Sequence, residues 1–141
     1  MIVVGVDGSS GAAEALRFAI AEARLRKSRL VLVAAWQVPA AAYEGGWSMA
    51  PVTSADFEGP ARAALDEAVA GTQADCPDLT VEGALHEGQA AHVLIAAAHD
   101  AELLVVGSRG RGGFKGLILG SVSQQCAHHA PCPVAIVPHP V

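Results

Sequence analysis

Glycine and hydroxyl residues gather in one segment, 107–123, between the apolar run 103–106 and a helix-compatible stretch at 124–128. Glycine lets a backbone approach a ligand closely, and the unpaired N–H groups at a helix start attract an anion. Because a strand, a glycine-rich loop and a helix start follow one another here, the segment predicts an anion-binding site. Its positive charges would be Arg109, Arg111 and Lys115.

Two common phosphate-binding motifs are excluded by spacing. The stretch from Gly110 has Phe114 where a P-loop needs glycine, and Gly116 follows Lys115 where a hydroxyl must hold Mg²⁺. The stretch Gly5-Val6-Asp7-Gly8 has the wrong glycine spacing for the dinucleotide fingerprint. The glycine segment therefore belongs to neither class.

Asp7 follows the apolar run 2–6 and precedes two serines suited to begin a helix. Its carboxylate could accept hydrogen bonds from ribose hydroxyls or help to hold a metal. Aspartate is also an ordinary turn residue, so the position alone leaves both interpretations open.

A metal site is the other chemistry that the sequence suggests. Cys126, His128, His129 and Cys132 fall within seven residues, but their spacing does not match the usual zinc-ligand pairs. We expect a buried Cys126, solvated histidines and no metal ligands. No spacing predicts a catalytic Ser-His-Asp or Cys-His arrangement, and no catalytic residue is assigned.

The elements that must position these residues alternate along the chain. Apolar runs predict strands at 2–6, 30–36, 79–85, 103–106 and 134–137. Helical periodicity predicts helices at 12–26, up to about 73, at 89–100 and from 124, with a long connection at 37–54. Such alternation is typical of an α/β fold with helices on both faces of a parallel sheet. We expect one doubly wound domain, 1–141, with five strands in the order 3-2-1-4-5.

That strand order predicts where a ligand would bind. Doubly wound sheets bind ligands beyond the carboxyl ends of the strands, where the order reverses. Here that point lies between the first and fourth strands, which end at Asp7 and Gly107. Two segments about a hundred residues apart are thus expected to meet.

The spacing Gly107-x2-Gly110-x9-Gly120-Ser121 resembles the nucleotide-binding signature of the universal stress protein family, in its ATP-binding branch. The resemblance extends from Val3 to Val137. It implies a Rossmann-like fold, similar to the adenine nucleotide α-hydrolases, that binds ATP, with Mg²⁺ as the expected companion.

The resemblance also implies roles for individual residues. Asp7 would contact the ribose, Ala35 would contact adenine through its backbone, and the 120–123 stretch would bind the phosphates. Ser123 retains the hydroxyl of the threonine that is frequent at its position. The complete set of expected cofactor-binding residues is Gly5, Asp7, Ala35, Val106, Gly107, Arg109, Gly110, Gly120, Ser121, Val122 and Ser123.

A structural role is open for Ser121 as well. Ser121 followed by Gln124 matches a capping box, in which the serine hydroxyl caps the helix. The same hydroxyl would lie where a phosphate oxygen docks, so the two roles are compatible.

Composition limits the classes of function. The net charge of −5 argues against a nucleic-acid binder. No apolar stretch approaches the ~20 residues of a membrane span, the first residues lack a signal peptide's basic region, and three cysteines give no disulfide framework. We expect a cytoplasmic protein.

A low content of charged residues suggests self-association. Charged residues make up only 16% of the chain, and the predicted edge strand Val134, Ala135, Ile136, Val137 carries no charge. We expect a homodimer through this strand, an arrangement that members of the family resemble.

The leading functional hypothesis is an ATP-binding regulatory protein of the stress response, with an unidentified protein partner. The alternatives are a slow ATPase or phosphoryl-transfer enzyme, and a dimeric interaction protein without nucleotide. An enzyme with efficient turnover is disfavoured, since no obvious base would position water.

Overall fold

The secondary structure follows the predicted alternation. A computed structural model describes residues 1–44, 53–109 and 119–139. Its elements are β1 (Ile2–Gly5), α1 (Ser10–Arg26), β2 (Leu30–Trp36), α2 (Ala40–Glu44), α3 (Ala55–Asp75), β3 (Val81–Glu87), α4 (Ala90–Ala97), β4 (Leu103–Gly107), α5 (Ser121–His129) and β5 (Val134–Val137).

The five strands form one parallel sheet in the order β3-β2-β1-β4-β5, which confirms the prediction. β1 lies at the centre, where Ile2 pairs with Leu30 on one side and with Leu103 on the other. Both outer strands, β3 and β5, leave one edge of the sheet without a neighbouring strand in the described part of the chain.

Alternate residues of the strands face two separate cores. Ile2 and Val4 of β1 pack on the face covered by α1 and α3, together with Ala15, Ala19 and Leu65. The alternating residues that point the other way pack against Leu94 of α4 and Cys126 of α5 on the opposite face: Val3, Val33, Leu104 and Val106. Burial on both faces explains why these strands are almost continuously apolar in sequence.

Local hydrogen bonds explain where α1 begins and where it ends. The Ser9 hydroxyl accepts a hydrogen bond from the Ala12 N–H at 3.2 Å, so α1 begins at Ser10 rather than at Ala12 as predicted. Lys27 ends the helix in the left-handed conformation at φ 54°, and the Ser28 N–H donates to the Ala23 carbonyl.

Other boundaries also differ from the prediction. β3 begins at Val81 rather than Leu79, because the Leu79 N–H closes a turn onto the Cys76 carbonyl. α4 ends at Ala97 and continues as a turn to residue 100. The connection after β2 contains a short helix, α2, while residues 45–52 of it lie outside the described residues.

Three arginines at or just after the end of α1 have acidic partners. Arg24 contacts Asp78 at 3.0 Å, and this guanidinium lowers the pKa of the Asp78 carboxyl through its hydrogen bonds. Arg26 contacts Glu22, and Arg29 contacts Glu82 at 3.1 Å. These ion pairs lie at the opposite end of the strands from Asp7 and Gly107, so they are not part of the predicted crevice. Within the described ranges, no helix combines the length and apolar character that a membrane span requires.

Candidate functional site

A cavity of about 270 Å³ lies at the carboxyl ends of the central strands, where the strand order reverses. It lies between β1 and β4, as the topology predicts. Every expected cofactor-binding residue lines it except Gly110, which lies outside the described residues. The lining candidates are Gly5, Asp7, Ala35, Val106, Gly107, Arg109, Gly120, Ser121, Val122 and Ser123.

One side of the cavity is apolar. It includes Ala35 and Val106 together with Val33 and Leu94, which belong to the same core and which sequence reasoning missed. Val33 could have been found, because it precedes Ala35 by two positions and shares its face of β2. Ala90 and Leu94 of α4 gave no local signal, since they reach the cavity only when α4 packs on the sheet. The residues missed are Val6, Ser9, Ala12, Val33, Ala90 and Leu94.

Asp7 is held in place by the first residues of the β1–α1 turn. Its Oδ1 accepts hydrogen bonds from the Ser9 N–H at 2.9 Å and from the Ser9 hydroxyl. Ser9 in turn accepts from Ala12, so a short chain of hydrogen bonds links the carboxylate to α1. The carboxylate is exposed and oriented at the edge of the cavity.

Two glycines allow α1 to approach β4 closely. A Cβ on Gly11 would lie 2.6 Å from the Arg109 carbonyl oxygen, and a Cβ on Gly107 would lie 2.9 Å from the Gly11 carbonyl oxygen. Backbone atoms, unlike the end of a flexible side chain, cannot move aside to relieve contacts this short. Gly107 therefore has a packing role in addition to lining the cavity.

The start of α5 corrects the capping prediction for Ser121. Gly120 is the N-cap, with φ −76° and ψ 170°, and Ser121 is the first helical residue, so its hydroxyl does not form the expected capping box. Gly120 has no side chain that could cap this helix, and the first N–H groups of α5 have no acceptors within the helix. Those N–H groups, at the 121–123 turn, are the natural donors to an anion in the cavity.

Ser123 fixes the position of that turn. Its side chain is 2% exposed, and its hydroxyl lies 2.9 Å from the carbonyl oxygens of both Ser108 and Gly120. The Gly120 N–H also donates to the Ser108 carbonyl, at 2.7 Å. The Ser123 hydroxyl hydrogen is thus shared between two backbone oxygens, which ties the end of β4 to α5.

The electrostatics of the cavity favour an anion beside the helix starts and Arg109, whereas the Asp7 carboxylate adds a negative charge at the cavity's edge. The amino-terminal ends of α1, α4 and α5 all contribute to its lining, and each carries a partial positive charge. Arg109 adds a full positive charge. Arg111 and Lys115, the other predicted cations, lie outside the described residues.

The cysteine and histidine cluster lies away from the cavity. Cys126 is fully buried, and burial raises the pKa of its thiol to about 11. His128 and His129 are exposed at the end of α5. Among the residues that the structure describes, no group of three or more His, Cys, Asp or Glu side chains could hold a metal ion.

The comparisons with known proteins all point to the same family. The sequence model of the universal stress protein family matches residues 1–138. A universal stress protein of Mycolicibacterium smegmatis is 38% identical over 138 residues, which cover 96% of this chain and 45% of that protein. One of Mycobacterium tuberculosis H37Rv is 36% identical over 137 residues, covering 96% and 44%. The chain therefore spans less than half the length of these curated relatives.

Solved structures of similar sequence share the fold. A universal stress protein in complex with cAMP is 28% identical, with a TM-score of 0.68 and coverage of 96% of this chain and 94% of that chain. One from Archaeoglobus fulgidus in complex with dAMP is 27% identical, with a TM-score of 0.68 and coverage of 96% and 95%. A protein of the same family from Burkholderia pseudomallei is 28% identical, with a TM-score of 0.72 and coverage of 98% and 95%.

Proposed function

Because the chain belongs to the universal stress protein family, we propose that it binds ATP with Mg²⁺ in the cavity between β1 and β4. In this proposal the bound nucleotide regulates how the protein acts in a stress response. The observation that supports it most is the uncapped start of α5 opening into a cavity with one apolar side.

The two sides of the cavity suit the two ends of a nucleotide. Adenine would lie against the apolar side, at Ala35, Val33 and Leu94. The phosphates would accept hydrogen bonds from the N–H groups at 121–123, with Arg109 as the counter-charge. The ribose between them would donate hydrogen bonds to Asp7.

The chemistry of the donors is compatible with Mg²⁺. Asp7 supplies the carboxylate that lines the cavity, and Mg²⁺ on nucleotides is commonly held by one or two carboxylates and by phosphate oxygens. When bound, the ion would neutralise phosphate charge.

Two observations about relatives support an adenine nucleotide. The solved structures in complex with cAMP and with dAMP are both more than 25% identical to this chain and align over nearly all of it. The preference for ATP over monophosphates rests on the glycine spacing of 107–121. The regulatory role rests on the family alone, since the chain covers only part of its curated relatives.

Calorimetric titration with ATP, ADP, AMP and cAMP, each with and without Mg²⁺, tests the proposal. Ligand that binds only the native state should raise stability by about 2.7 kcal/mol at a hundredfold excess over the dissociation constant. Mass spectrometry of nucleotide released from the purified protein provides an independent measurement. The absence of both heat and thermal shift at millimolar Mg-ATP would contradict ATP binding and favour an interaction protein without nucleotide.

A matched pair of variants locates the site. Ala90→Leu places a larger side chain in the apolar side of the cavity. It should weaken the binding of every adenine nucleotide at least tenfold, or by about 1.4 kcal/mol. Ala96→Leu makes the same change on an exposed face of the same helix and should leave affinity unchanged. Equal affinities for the two variants would place the ligand elsewhere.

Rapid ATP hydrolysis is not part of the proposal. Asp7 is the one carboxylate among the described residues that line the cavity. Its Oδ1 already accepts hydrogen bonds from Ser9, and in this proposal it is assigned to the ribose and to Mg²⁺ rather than to an attacking water. Turnover at the ~1–10³ s⁻¹ typical of enzymes, measured as phosphate release, would favour the ATPase alternative.

A further inference from the structure

A serine and a histidine from opposite ends of the sequence meet at the start of α1. His139 Nε2 lies 2.6 Å from Ser10 Oγ, although 129 positions separate the two residues. Ser10 is exposed and His139 is half-buried. When the ring proton is on Nδ1, Nε2 accepts the hydroxyl hydrogen. This is the arrangement in which a histidine activates a serine as a nucleophile.

The pair is flanked by residues of the cavity. Ser9, which precedes Ser10, lines the cavity. Gly11, which follows it, packs against the Arg109 backbone, and a Cβ on Gly11 would lie 2.6 Å from the Arg109 carbonyl oxygen and 3.9 Å from His139 Cδ2. Because Arg109 also lines the cavity, Ser10 and His139 lie at its rim, on the side of the proposed phosphates.

We propose that Ser10 accepts the γ-phosphoryl group of a nucleoside triphosphate bound in the cavity, with His139 as the general base. This inference rests on the proposed function. The Ser10 oxygen forms a bond to the γ-phosphorus, and the bond from that phosphorus to the β,γ-bridging oxygen breaks. The bond's electron pair leaves with the nucleoside diphosphate, and the Ser10 hydroxyl proton passes to His139 Nε2.

The hydroxyls of Ser9 and Ser123, which also line the cavity, are already committed to structural hydrogen bonds. The Ser9 hydroxyl donates to Asp7 and accepts from Ala12, as the cap of α1. The Ser123 hydroxyl is buried and shared between two carbonyls. Ser10 is the hydroxyl whose observed partner is an imidazole.

The product would also be stabilised where it forms. Phosphoserine carries close to two negative charges at neutral pH, and such charge is favourable in the first turn of a helix. Ser10 is the first residue of α1, a helix of 17 residues. The imidazolium formed at His139 would lie directly beside the new phosphate.

Incubation of the intact chain with Mg-ATP labelled at the γ-phosphate, followed by peptide mapping, tests the inference. We expect one phosphoryl group per chain, on Ser10, and none after Ser10→Ala. His139→Gln should lower the initial labelling rate by about 100-fold, within the usual range for general-base catalysis. His128→Gln and Ser54→Ala change exposed residues away from the cavity and should leave the rate unchanged.

Calorimetry on the same samples separates the two proposals. If ATP binds normally but Ser10 stays unlabelled, or if the label maps to Ser9 or Ser121, the phosphoryl-acceptor inference is overturned and the proposed function remains. Labelling of Ser10 at the wild-type rate in His139→Gln would overturn the role of His139. If no nucleotide binds, both proposals fail together.

Discussion

Two serines in the first turn of α5 differ in what their hydroxyls contact. Ser123 is buried and bonds to the Ser108 and Gly120 carbonyls, whereas Ser121 is exposed and is not the cap of the helix. Sequence reasoning gave both residues a phosphate-binding role. In the proposed function their backbone N–H groups donate to phosphate, and the Ser123 hydroxyl positions them through its contacts with the Ser108 and Gly120 carbonyls.

Replacing each serine by alanine should therefore give different stabilities. Ser123→Ala removes the shared hydrogen bond and should lower the free energy of unfolding by about 0.5–1.5 kcal/mol. The loss is modest because the Ser108 carbonyl keeps the Gly120 N–H and the Gly120 carbonyl keeps the Gln124 N–H. Ser121→Ala should change stability by less than about 0.5 kcal/mol.

Urea unfolding of the two variants measures the difference. A similar loss for both would indicate that the Ser121 hydroxyl does cap the helix. The matched chemistry and the separation of only two positions make each variant a control for the other.

The packing of α1 on β4 depends on two glycines whose backbones nearly touch. Gly11 packs against the carbonyl oxygen of Arg109, and Gly107 packs against the carbonyl oxygen of Gly11. This approach brings the turn at Asp7 and Ser9 next to the end of β4, and so closes one side of the cavity. The proposed Ser10–His139 pair depends on the same contact, because Gly11 lies between Arg109 and His139.

Alanine at these positions should separate α1 from β4. Gly107→Ala and Gly11→Ala create contacts of 2.9 Å and 2.6 Å with backbone oxygens, and overpacking of this kind costs about 1–3 kcal/mol. Both variants should also weaken nucleotide binding, since the cavity lining shifts.

Gly71→Ala is the matched control for that prediction. Gly71 lies inside α3, and a Cβ there meets nothing within 4 Å. Alanine should therefore stabilise the protein by about 0.5–1 kcal/mol through its better helix propensity. Thermal unfolding measures all three variants, and a stabilised Gly107→Ala would contradict the proposed packing role.

The two outer strands of the sheet differ in charge. β3 exposes Glu82, His86 and Glu87, and charges on an edge strand discourage pairing with another chain. β5 carries no charge, and its four residues are only half-buried against the two cores. We propose that two copies of the chain pair through β5, with two-fold symmetry and antiparallel strands.

Ile136→Lys should disrupt this dimer, because each copy would place a charge in the centre of the apolar edge. Light scattering at micromolar concentration should then give the monomer mass for the variant and the dimer mass for the unaltered chain. His86→Lys changes an exposed residue of the other edge strand and should remain a dimer. A monomer mass for the unaltered chain would rule out the interface.

Much of the architecture could be predicted from short stretches of sequence. Apolar runs and helical periodicity depend on residues within a few positions of one another, so the sequence alone predicts the alternation of strands and helices. The strand order then brings Asp7 and Gly107 to one cavity. The boundaries at Ser10 and Val81 were missed because a cap and a turn, rather than periodicity, decide them.

The remaining features depend on contacts between distant segments, which no local pattern encodes. Ala90 and Leu94 line the cavity only because α4 packs on the sheet beside β2. The Ser123 hydroxyl finds the Ser108 carbonyl because α5 begins next to the end of β4. Ser10 and His139 meet because β5 lies beside β4 and returns the chain to the start of α1. Side-chain chemistry and periodicity are properties of the sequence, whereas which groups come within hydrogen-bonding distance is decided by how the helices pack on the sheet.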